Sequence, residues 1–185
     1  MASRSFAKWH QKEADCFLVC PNDYQKIFMS KKKKDYIDSH SIGLQKFEYA
    51  LHVWENYGYD KIIVLGADTI TCARLDEFID DQNNELIASL DYPYDPYEDL
   101  VNKHGGYNKK ALEAKRKDFI HVNADVVCFK NISILKYLIK LVIDKFDPLA
   151  DVYHEQSALN FILQSKAFQT GQSNFSWTIV DHPYS

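Results

Sequence analysis

The chain reads as an α/β domain with a central, mostly parallel sheet flanked by helices, and three observations lead there. Short runs rich in Val and Ile, such as KIIVL at 61–65 and DVVCF at 125–129, alternate with stretches of helical period, the ordering that builds parallel sheets with helical crossovers. The 185 residues are enough for one core and few for two, and no internal repeat or linker divides them, so a single domain over 1–185 is expected. Hydrophobic residues at 46% and charged residues at 26% match a packed globular protein rather than a disordered or fibrous one.

The first expected strand is CFLVC at 16–20, where even spacing puts Cys16 and Cys20 on one buried face and Pro21, Asn22 and Asp23 stop the run. A short apolar run at 35–37 follows KKKK at 31–34, which reads as a solvated loop. Ser41 is placed to cap a helix whose Leu44, Phe47, Leu51 and Trp54 make one apolar stripe ending near Gly58. Residues 61–65 form the next strand and run into Gly66, Ala67, Asp68 and Thr69, and 86–90 form another. Residues 91–106, rich in Tyr, Pro, Asp and Gly and without period, read as a long loop of the binding or lid kind. Then 119–122 and 125–129 give a strand broken around Asn123. Ser133 reads as the cap of a helix with Leu135, Leu138, Ile139, Val142, Ile143 and Phe146 on one face, ended by Pro148. A last helix is expected over 155–166 and a last strand over 178–180.

Several function classes are disfavoured. Lys and Arg number 22 against 26 Asp and Glu, a net charge of −4, so composition supplies no electrostatic drive toward nucleic acid or an anionic membrane. No apolar run approaches the roughly 18 residues of a membrane span, and the first 15 residues hold no apolar signal core. A cytoplasmic location is the expectation, with the four cysteines reduced and not spaced for zinc.

Ligands of open α/β sheets gather beyond the carboxyl ends of strands. Polar residues stand after strands at Gly66 to Thr69, at Asp91, at His121 to Asp125, and at Asp181 with His182. Asp, Asn and Gly also end strands because they suit turns, so none of these positions speaks alone.

Their order says more. The stretch LQKFEYALHVWENYGYDKIIVLGADTITCARLDEFID at 44–80, then HVNADVVCFKN, then YHEQSALNFIL resembles GT-A glycosyltransferases of the glycogenin and LgtC-type galactosyltransferase family. The shared pattern is a Lys-bearing helix before a strand and metal-binding turn, an Asn-Ala/Ser-Gly-Val strand, and an Asp-Gln-x-x-Leu-Asn helix start. The resemblance implies a GT-A-like, Rossmann-related single domain, here without the family's usual first strand and C-terminal segment. It implies transfer of a sugar from a nucleotide-diphosphate donor, a UDP-sugar, to an acceptor hydroxyl on a glycan or glycoprotein.

The chemistry that goes with it is metal-assisted departure of a diphosphate, for which Mn²⁺ or Mg²⁺ acts as a Lewis acid. Asp68 is then the expected metal ligand. Gly66 stands where the family carries the first Asp of Asp-x-Asp, which leaves Asp181 and His182 to complete the set. Lys46, Gly66, Ala67, Asp91, Asn123 and Ala124 would line the donor, Gly66 and Ala67 by letting the backbone approach the diphosphate. Glu155, Gln156 and Asp125 would face the reacting carbon. The alternative is a catalytically degenerate sugar- or nucleotide-binding module of the same fold, which the glycine at 66 favours. A dinucleotide enzyme is disfavoured because no G-x-G-x-x-G follows any strand.

Overall fold

The structure is a computed structural model that describes residues 8, 14–17, 42–66, 69, 71–72, 74–90, 122–145, 154–164 and 175–180. The elements in order are α1 (Ile42–Tyr57), β1 (Ile62–Leu65), α2 (Asp76–Ile79), β2 (Leu86–Leu90), β3 (Val122–Phe129), α3 (Ile132–Lys145), α4 (His154–Gln164) and β4 (Trp177–Val180). The expected strand remainder at 18–20, the run at 35–37, Ser41, the loop at 91–106 and Phe146 lie outside the described residues.

Among the described residues the sheet has four strands in the order β1-β3-β2-β4. β3 is antiparallel to both β1 and β2, and only β2 and β4 pair in parallel. The sheet is therefore mixed, which corrects the mostly parallel expectation. Three strands do run the same way, and the fourth is inserted against them. Strand direction leaves no mark in residue periodicity, since an apolar β-branched run looks the same from either end.

Pairing sets the two faces of the sheet. Val64, Leu86, Ala88, Val127 and Phe129 turn toward one side, where α1, α3 and α4 cover them with Leu44, Phe47, Leu135, Leu138, Leu159 and Ile162. Phe47 meets Phe129 edge to face, ring centroids 5.8 Å apart, an arrangement that adds about 0.5–1.5 kcal/mol beyond area burial. On the other side Phe78 of α2 packs with Ile87 and Cys128. The Cys128 Sγ–H donates to the Phe78 carbonyl at 3.5 Å, and burial pushes its thiol up to about 11, so this cysteine stays protonated and unreactive at neutral pH.

The stripe read on α1 is seated as expected: Leu44 and Phe47 are buried, with Leu51 and Trp54 packed against them. Gly58 ends it with φ of 73° and an N–H donated to the Trp54 carbonyl, a left-handed cap suited to glycine. Two details of α3 differ. Its cap is Asn131, whose Oδ1 accepts the Ser133 N–H at 2.9 Å; the helix begins at Ile132, so Ser133 is already inside it. Ile143 is exposed while Ile134 and Leu141 are buried, because the contact face of α3 is rotated slightly from the stripe drawn through Ile143.

Cys16 is a correction of another kind. It is exposed, and residues 14–17 form no strand. Phe17 lies instead on the rings of Tyr57 and Tyr59, centroids 5.3 and 5.8 Å away. An aromatic surface at the end of α1 takes this segment in place of a strand pairing, which apolar alternation in CFLVC does not foresee. Among the described residues no helix is long and apolar enough to cross a membrane.

Candidate functional site

The carboxyl ends of β1 and β2 meet the start of β3, and the starts of α1 and α4 reach the same end. The β2–β3 register shifts between Ala88 and Ser89, whose partners on β3 are Val127 and Asn123. Residues 124–126 of β3 thus bulge out of the ladder with β2, while Val126 still pairs with Leu65 of β1. The break read around Asn123 is this bulge inside one continuous strand. Bulges bend a strand and re-aim its side chains. Here the re-aimed residues are Ala124 and Asp125.

Three amides hold the bulge. Asn123 Oδ1 accepts the Asp125 N–H at 2.6 Å. Gln156 Oε1 accepts the Ala124 N–H at 3.0 Å. Asn160 accepts the Val122 N–H at 2.8 Å and donates to the Val122 and Gln156 carbonyls, both at 2.9 Å. Asn160 is 1% exposed, and it answers backbone groups that a sheet partner would otherwise satisfy. Asn160→Ala is expected to lower stability by about 1–3 kcal/mol through unmatched buried groups at Val122, measured by urea unfolding. A loss within the error of that measurement would show that the clamp is dispensable.

Above the bulge stands an ionic cluster. Lys46 of α1 donates from Nζ to Asp125 Oδ1 and lies 3.7 Å from Glu155 Oε1. Its stem is part-buried, as are both acids, with side chains 17% exposed for Lys46, 42% for Asp125 and 10% for Glu155. Two glycines make room for the carboxylates. A Cβ at Gly43 would fall 2.3 Å from Glu155 Cδ and 2.5 Å from both its oxygens, and one at Gly66 would fall 2.8 Å from Asp125 Cβ and Cγ. Gly66 also donates its N–H to the Asp125 carbonyl at 2.7 Å.

The structure thus brings Lys46, Gly66, Asn123, Ala124, Asp125, Glu155 and Gln156 together at one end of the sheet. Two of them are also engaged within the protein. The space over Gly66 is filled by the Asp125 side chain. The Gln156 amide oxygen accepts from the Ala124 N–H and so holds the bulge. Ala67, Asp68, Asp91, Asp181 and His182 lie outside the described residues. Sequence reasoning missed Asn160 and Gly43. A signal for Asn160 was present: it stands at the last position of the Asp-Gln-x-x-Leu-Asn pattern, between Leu159 and Phe161 and one turn after Gln156, where an asparagine asks for a buried backbone partner.

Among the described residues no three His, Cys, Asp or Glu side chains are grouped to hold a metal, and Asp125 and Glu155 are both engaged by the Lys46 ammonium.

At the opposite end of the sheet a cleft is lined by Asp60, Lys61, Asp81, Asn84, Glu85 and Lys130. Its groups are matched internally. Asp81 accepts from the Asn83 and Asn84 N–H groups and from Asn84 Nδ2, at 2.8, 2.8 and 2.9 Å, and these bonds, the Asn84 side chain first, hold its carboxyl down at about 2. Lys61 Nζ donates to the Ile79 carbonyl at 2.6 Å. The cleft is a pinned turn.

No protein-family model, no curated protein and no solved structure matches the chain.

Proposed function

We propose that the chain is a glycosyltransferase that moves a sugar from a nucleotide-diphosphate donor, a UDP-sugar, to an acceptor hydroxyl on a glycan or glycoprotein. The observation that supports this reading is the convergence of a helix lysine, two carboxylates and the Asn123–Ala124 backbone at the carboxyl ends of β1 and β2, where open α/β sheets hold ligands. In the transfer the bond from the anomeric carbon to the diphosphate oxygen breaks, a bond from that carbon to the acceptor oxygen forms, and the acceptor proton leaves. Glu155 and Asp125 are carboxylates placed to take that proton or to offset positive charge on the sugar ring. The Lys46 ammonium lies between them. Gln156 and Asn160 hold the strand that presents Asn123 to Asp125.

A divalent cation, Mn²⁺ or Mg²⁺, would neutralise the departing diphosphate as a Lewis acid. The described residues do not make its site, and the reading assigns that duty to Asp68 with Asp181 and His182. Asp68→Ala is expected to abolish the manganese dependence of donor binding with the fold intact, checked by titrating donor with and without Mn²⁺. Unchanged dependence removes Asp68 from the assignment.

The reading itself is tested by thermal shift against a panel of nucleotide sugars, followed by a transfer assay on those that bind. A donor at about 100 times its dissociation constant adds about 2.7 kcal/mol of stability. No shift from any donor would end the reading, whereas a shift without transfer would leave the sugar- or nucleotide-binding module.

A further inference from the structure

We draw no further inference here: the strongest candidate, the surface patch of aromatic rings that Phe17, Tyr57 and Tyr59 make at the end of α1, carries nothing because nothing among the described residues shows what partner covers it.

Discussion

The substitution Glu155→Gln is expected to slow sugar transfer by ~10² to 10⁴-fold, the usual worth of a positioned acid–base group, without loss of UDP affinity. Glu155 is 7% exposed, it opens α4, and its carboxylate is seated against Gly43 beside Lys46. Glutamine keeps the shape and can still turn its amide oxygen toward Lys46, so what disappears is the negative charge and the basic oxygen. A group acting mainly in the transition state lowers turnover more than ground-state binding. Single-turnover transfer, with donor affinity measured separately, separates the two. Transfer at the wild-type rate would reduce Glu155 to a first-turn carboxylate favoured by the helix dipole and would pass the role to Asp125.

The second large effect concerns stability and pH. Glu48, on α1 one turn beyond Gly43 and Leu44, is 5% exposed, and burial raises its carboxyl from 4.5 to about 7. The folded state then prefers the protonated acid while the unfolded chain ionises near 4.5. Stability is therefore lost as pH rises from about 4.5 to about 7 and stays at the lower level above that, the reverse of a salt-bridged carboxylate. At 1.36 kcal/mol for each pH unit between the two values, the cost reaches at most about 3 kcal/mol. Glu48→Gln is expected to recover most of it at pH 8 and to make no difference below pH 4.5. Calorimetric unfolding of both proteins across that range checks the sign. Parallel curves with a constant offset would mean that Glu48 does not titrate in this window.

Much of the architecture was legible in local pattern. The stripe through Leu44 and Phe47 marks α1, KIIVL marks β1, residues 86–90 coincide with β2, and the i, i+3, i+4 spacing from Leu135 to Val142 marks α3. Each of these signals is carried within a few residues, where helical or strand period alone decides which side chains can share a buried face. The likeness of three polar blocks also picked out Lys46, Ala124, Asp125 and Gln156, where the Lys46–Asp125 and Ala124–Gln156 hydrogen bonds join residues 79 and 32 positions apart.

Other features were settled only by tertiary packing. β3 runs antiparallel to both of its neighbours, a direction that periodicity, which carries no arrow, does not encode. The bulge at residues 124–126 exists because Asn160 and Gln156 of α4 offer amides to its backbone, and no local rule joins an α4 asparagine to Val122. Gly66 looked like a residue kept small for a ligand, yet its open space belongs to Asp125 across the strand pair. Gly43, in the first turn of α1, leaves room for a carboxylate from α4. Sequence alone marked the stretches of α1, β1, β2 and α3, since period and turn chemistry act within one segment. The structure decided what fills the space beside each residue, because that space is made by segments far along the chain and is shared only once they pack.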